Sequence, residues 1–152
     1  MEIREVNGNR KDYLDLLFLA DEQEDMIDRY LDKGEMYVLL EDGKPLGEAV
    51  VVDLGDTKDG HAFEIKNIAT DPAVHGKGYG KTLIRYIMDR YAGKGDLMLV
   101  GTGDSPLTVP FYKKCGFAEH HRLKNFFTDN YDHPIFEAGV QLVDMVYLSQ
   151  KL

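Results

Sequence analysis

The chain of 152 residues has the size of a single domain, residues 1–152, and at 43% hydrophobic it carries enough apolar content for a packed core. A net charge of −9, from 27 acidic against 18 basic residues, argues against nucleic acid as a partner, since that binding depends on neutralising phosphates. No apolar run approaches the length that crosses a bilayer, Met1–Val6 goes straight into an alternating strand pattern rather than a leader, and a single cysteine rules out an internal disulfide and fits a reducing, cytoplasmic location with no membrane partner.

The first strand is expected at residues 2–7. Two helical stretches follow, one carrying Leu14, Leu17 and Phe18, the other Met26, Ile27, Tyr30 and Leu31, with Gly34 as the stop. Met36–Leu40 and Pro45–Leu54 read as strands around Glu41-Asp42-Gly43-Lys44, where Asp-Gly signals a hairpin. A longer loop, Gly55–Gly60, is expected to lead into a strand over Phe63–Thr70, which alternates apolar and polar residues in its first half and is closed by Asp71-Pro72. These three strands form an antiparallel meander.

His75-Gly76-Lys77-Gly78-Tyr79-Gly80 then sets three glycines at alternate positions ahead of an amphipathic helix, whose Leu83, Ile84, Ile87, Met88 and Tyr91 recur at helical spacing before Gly93. Glycine lets the backbone come close to a ligand, and the first turn of a helix offers amides with no partner inside the helix. Strand, glycine turn and helix together make an anion cradle suited to a diphosphate. Beyond it the pattern predicts a strand near Asp96–Val100, a short helix over Pro106–Cys115, a strand over Phe117–Phe127 and a last strand near Gly139–Leu148.

Two segments carry a family resemblance. Gly78 and Gly80, the position three before Gly78, and the strand Ile65-Lys66-Asn67-Ile68-Ala69-Thr70 resemble the acetyl-CoA-binding motif of the GNAT superfamily of N-acetyltransferases, Q/R-x-x-G-x-G/A. His75 stands where Gln or Arg is usual. Further on, Ser105 to Phe117 resembles the N-x-x-A-x-x-F/L-Y-x-x-x-G-F segment, with Ser105 in place of Asn and Thr108 in place of Ala. The two matches fall within residues 61–120 in the family's order, which makes the pair more specific than either pattern alone.

The resemblance implies an α/β (α+β) fold with a central, mixed but mostly antiparallel sheet of six to seven strands, flanked by about four helices in the order β-α-α-β-β-β-α-β-α-β-β. It implies acetyl-CoA as cosubstrate, held by the backbone of Ile68, Ala69 and Thr70 at a strand end splayed from its parallel neighbour. Gly76, Gly78, Tyr79 and Gly80 supply the cradle, Ser105 the second motif, and His75, Lys77 and Lys81 are the side chains placed to approach phosphates. A primary amine, cationic in keeping with the acidic chain, is the expected acceptor, and a homodimer is compatible with the family.

Acetyl transfer sets the remaining requirements. An alkyl ammonium titrates near about 10, so roughly one molecule in a thousand is a free nucleophile at neutral pH and a base must take its proton. The thiolate leaves more easily if an acid protonates it. By resemblance, Tyr112 is the acid and Glu64, on the strand ahead of the cradle, is the base. Pleating places Glu64 and Lys66 opposite Phe63 and Ile65, a face that is either cleft or solvent. The stretch Phe126–Glu137, with Tyr131, Asp129, Asp132 and Glu137, reads as a long loop able to meet an ammonium. The five histidines show no HxxxH or HExxH spacing, so no metal is expected, and Cys115 reads as a small core residue. The competing readings are a catalytically silent coenzyme A-binding regulatory module and a Rossmann-type nucleotide protein, the latter disfavoured because the glycines do not make G-x-G-x-x-G.

Overall fold

The structure, a computed structural model, describes residues 1–152. Its elements in chain order are β1 (Glu2–Val6), a 3-10 turn at Arg10–Tyr13, α1 (Leu14–Ala20), α2 (Glu24–Asp28), β2 (Glu35–Glu41), β3 (Lys44–Thr57) and β4 (Gly60–Thr70). After a second 3-10 turn at Pro72–Val74 come α3 (Tyr79–Tyr91), β5 (Leu97–Gly103), α4 (Thr108–Lys114), β6 (Ala118–Leu123) and α5 (Phe126–Asn130). β7 (Phe136–Glu137), β8 (Val140–Gln141) and β9 (Met145–Lys151) complete the chain.

Seven strands form one sheet in the order β1-β2-β3-β4-β5-β9-β6, and β7 and β8 make a separate two-stranded ribbon. All neighbours in the large sheet are antiparallel except β4 and β5. The expected mixed, mostly antiparallel sheet is therefore present, with five α-helices around it. At the β2–β3 hairpin, Asp42 and Gly43 both take positive φ (50° and 78°), the geometry for which Asp-Gly is suited.

Alternation along the strands divides the core. Tyr37, Ala49, Val51, Phe63 and Ile65 pack with Ile84, Ile87 and Tyr91 of α3 on one face. Met36, Val38, Val50 and Val52 pack with Leu17, Ile27, Tyr30 and Leu31 of the α1–α2 region on the other. The hydroxyls of Tyr37 and Tyr91 meet at 2.9 Å inside the first cluster, so these phenols are satisfied where they are buried.

Three boundaries correct the sequence reading. Gly55–Gly60 is not a loop: β3 and β4 run on as a hairpin, with Thr57 opposite Gly60, and only two residues turn. Phe126 and Phe127 do not extend β6; they open α5, because Lys124 and Asn125 turn the chain and Asn125 adopts φ 59°. The stretch near Gly139 belongs to the β7–β8 ribbon, and the last strand starts only at Met145.

Candidate active site

β4 and β5 pair only over Ala62–Ile65 and Leu97–Val100, although β4 continues to Thr70 and β5 to Gly103. The register of β3 on β4 explains why. Val50 pairs with Asn67 and Val51 with Ile65, so Lys66 is an extra residue, a β-bulge that bends β4 away from β5. Beyond the bulge, Ile68, Ala69 and Thr70 keep β3 as partner on one side only. Their other edge lines a V-shaped opening.

The anion cradle lies at the end of the same strand. Asp71 caps the 3-10 turn by accepting the Ala73 amide at 2.8 Å, and the chain then passes through Gly76 (φ 78°) and Gly78 (φ 85°) before α3 begins at Tyr79. A side chain would strain both backbone positions, while open space surrounds the point where a Cβ would stand. Gly78 is the N-cap and puts no side chain over the first turn, leaving the Tyr79, Gly80 and Lys81 amides facing outward. Lys77 and Lys81 are exposed beside them.

His75 and Ser105 each make a hydrogen bond within the chain. The His75 Nε2 lies 3.1 Å from the Thr70 carbonyl, tying the glycine turn back to the strand end. Ser105 is buried, and its Oγ accepts the Leu107 amide at 3.1 Å at the start of α4. The Tyr79 hydroxyl donates to Glu41, so its side chain braces the cradle against the β2–β3 hairpin.

Tyr112 projects from α4 into the core beside Phe111 and Phe117, at ring separations of 5.2 and 6.1 Å. Burial raises its phenol well above the usual range, and Cys115, Glu137 and Glu48 add negative charge in the same direction. The side chain is not at the surface, as a simple amphipathic helix would have it; it is 7% exposed.

Glu64 is buried, with Lys66 at 3.4 Å, on the face opposite Phe63 and Ile65 as pleating requires. Burial raises its carboxyl, and Lys66 and the Tyr147 hydroxyl pull it back. The ring of Tyr147 is itself stacked on His121 at 4.6 Å. This group sits where β4 is still paired to β5, ahead of the bulge.

Past the bulge, the α1–α2 face carries a second polar group that the sequence reading did not single out. Asn67 donates to the Leu17 carbonyl at 3.1 Å and to the Tyr30 hydroxyl at 2.9 Å. Asp21 accepts from Tyr30 at 3.2 Å and from Tyr131 at 2.7 Å, and burial raises its carboxyl. Glu48 of β3 is fully buried, opposite Val38 and Ala69. Its signal was present in the sequence: one charge inside the apolar run Leu46–Val52.

The stretch Phe126–Glu137, read as a loop, holds α5 and then a strap clasped to the α1–α2 connection. His133 Nε2 meets Glu22 at 2.7 Å, and the Asp132 amide donates to Gln23 at 3.4 Å. Beneath it Phe127 stacks on Tyr131 at 5.5 Å and packs with Ile135 and Leu142.

Comparison with known proteins agrees with this geometry. The Acetyltransferase (GNAT) family model matches residues 6–117. The uncharacterized N-acetyltransferase YvbK of Bacillus subtilis (strain 168) is 36% identical over 136 residues, covering 88% of this chain and 85% of that protein. A GNAT family acetyltransferase from Elizabethkingia anophelis, solved with acetyl-CoA bound, superposes with a TM-score of 0.91 at 32% identity, covering 99% of this chain and 97% of the other. A Bacillus subtilis acetyltransferase in complex with CoA superposes at 0.87 with 33% identity, covering 99% and 98%.

Proposed function

The chain belongs to the GNAT acetyltransferase family, and on that premise we propose that it transfers the acetyl group of acetyl-CoA to a primary amine by direct attack in a ternary complex. The observation that carries this reading is the continuity of the bulged β4 with the glycine cradle: a strand edge without its neighbour leads directly to a ring of free amides. The first suits an extended amide-bearing arm, which adds like a strand, and the second suits the diphosphate behind it. The acetyl-CoA held by the relative from Elizabethkingia anophelis supports the assignment of the same cosubstrate to this chain.

In this reading the backbone of Ile68, Ala69 and Thr70 receives the pantetheine arm. The amides of Gly76, Gly78, Tyr79 and Gly80 hold the diphosphate, and Lys77 and Lys81 add point charges. His75 and Ser105 act indirectly by fixing the glycine turn and the start of α4. An amide at Ile68 or Ala69 donates to the acetyl oxygen as it gains charge. Tyr112 protonates the departing sulfur. A buried carboxylate on the α1–α2 face takes the proton of the amine, for which Glu64 is the candidate from sequence. These steps call for no metal. The acceptor is a cationic amine drawn to an acidic chain, and the same chemistry serves a monomer or a homodimer.

The test is thiol release from acetyl-CoA against a panel of alkyl amines, polyamines, aminoglycosides, amino acids and N-terminal peptides. Amine-dependent release with an acetylated product is expected. Coenzyme binding without release on any amine would instead identify a silent coenzyme A-binding module.

A further inference from the structure

Three oxygen atoms on the α1–α2 face are buried and have no hydrogen-bond partner in the protein: both carboxylate oxygens of Glu48 and the amide oxygen of Asn67. They stand on neighbouring rungs, since Val50 is opposite Asn67 and Glu48 is opposite Ala69. Both hydrogens of the Asn67 amide are already given to Leu17 and Tyr30, so every open position is an acceptor. The titratable groups that feel the Glu48 carboxyl are the phenols of Tyr30, beyond α2, and Tyr112, on α4, with Asp21 behind Tyr30, so the groups around this place are neutral or acidic. What such a seat lacks is a donor with several N–H bonds and a positive charge. An alkyl ammonium has three.

Position agrees with chemistry. Glu48 faces across the strand to Ala69, whose free edge lines the opening beyond the bulge, and its charge is felt by the Tyr112 phenol. Glu64 lies five residues before Ala69 on β4, roughly 15 Å back along a strand. It is also engaged already by Lys66 and Tyr147. Building on the acetyl-transfer reading, we infer that Glu48, rather than Glu64, receives the ammonium of the acceptor and takes its proton, with the Asn67 amide oxygen as a second acceptor for the same nitrogen.

The ammonium gives one proton to a Glu48 oxygen, and the freed lone pair forms the C–N bond at the acetyl carbonyl. Collapse of the tetrahedral intermediate breaks the C–S bond; the sulfur receives a proton from Tyr112, which regains one from the nitrogen through solvent. Glu48 then releases its proton to water. Burial alone, with no cation to offset it, raises the Glu48 carboxyl well above the usual range, which makes it an effective proton acceptor. The strap ends the polar chain Tyr131–Asp21–Tyr30–Asn67, and the amine reaches the seat when the strap lifts.

The experiment compares the full chain with Glu48→Gln, Glu48→Met and Glu64→Gln on the amine panel, with coenzyme A binding and thermal melting measured in parallel. Glu48→Gln should lower kcat/KM for the amine at least about a hundredfold, as loss of a general base does. The rise of kcat/KM with pH that reports the Glu48 carboxyl should vanish, while coenzyme A binding stays unchanged. Because the carboxylate is unpartnered, neither Glu48 variant should melt below the wild type. Glu64→Gln should lower kcat/KM by a much smaller factor than Glu48→Gln and should keep the rise of kcat/KM with pH that Glu48→Gln loses; an equal loss and a flattened profile in Glu64→Gln would overturn the assignment in favour of Glu64. Retained turnover in Glu48→Gln overturns the assignment, and so does a large drop in melting temperature in both Glu48 variants, which would make Glu48 a structural residue. A wild-type chain that acetylates no amine would overturn the acetyl-transfer reading itself, and the role of Glu48 with it; the two failures are told apart by the wild type alone.

Discussion

Tyr112 and Gly78 show how much single positions carry. Burial keeps the proton on the Tyr112 phenol throughout the neutral range, so in the proposed reaction it is present for donation when the thiolate leaves. Tyr112→Phe should therefore lower kcat between about a hundredfold and ten-thousandfold while leaving coenzyme A affinity unchanged, as read by steady-state kinetics beside calorimetry. Gly78 fails differently. At φ 85° any side chain strains the turn by about 1–2 kcal/mol, and a branched one also covers the amides, so Gly78→Val should weaken coenzyme A binding at least tenfold with little change in the chemical step. Both residues were legible in the sequence, Gly78 because alternate glycines ahead of an amphipathic helix serve close backbone approach, Tyr112 because it stands at a fixed place in a longer pattern that ends in Gly116-Phe117. Glu48 drew no attention in the sequence because strand periodicity asks only which face is apolar, and one charge inside Leu46–Val52 does not alter the reading of that run as a strand.

The elements that build the site are a strand bent by one extra residue and a strap held by polar contacts. Nothing in Phe63–Thr70 announces the bulge at Lys66, since the alternation of one strand cannot reveal its register against the next. The hairpin at Lys58–Asp59 was hidden because Gly55, Asp56 and Gly60 are ordinary turn formers, yet here they lie in paired strand. α5 is too short for periodicity to reveal. The strap gives a pH prediction. Hydrogen bonds to Asp132 and then to Glu22 raise the His133 imidazole above its usual value. The clasp is thus fully formed below the ordinary histidine range and lost as pH rises through the raised value. An NMR titration should place His133 above about 6.5, and His133→Asn should abolish the pH dependence of strap protection against hydrogen exchange. An unshifted His133 would show that the clasp does not hold in solution.

At the scale of the whole molecule, strand order follows from a crossover through α3 between two parallel strands, with antiparallel pairing everywhere else. That order was readable because strand, glycine turn and long amphipathic helix come in sequence, and the meander before them leaves few ways to close the sheet. The polar cluster of the α1–α2 face was not readable, since it is assembled from α1, α2, β4 and the strap, segments far apart in the chain. With a net charge of −9, attraction at long range should favour polyamines, so kcat/KM for a polyamine should fall as salt is raised while that for a neutralised, amide-capped analogue stays low and flat. All of this depends on the amides that open α3 holding the diphosphate of coenzyme A. Calorimetric titration of the full chain with coenzyme A tests that most directly: a saturable heat in the wild type, strongly weakened in Gly78→Val, is the predicted result, and no heat at millimolar ligand with the protein folded would contradict it.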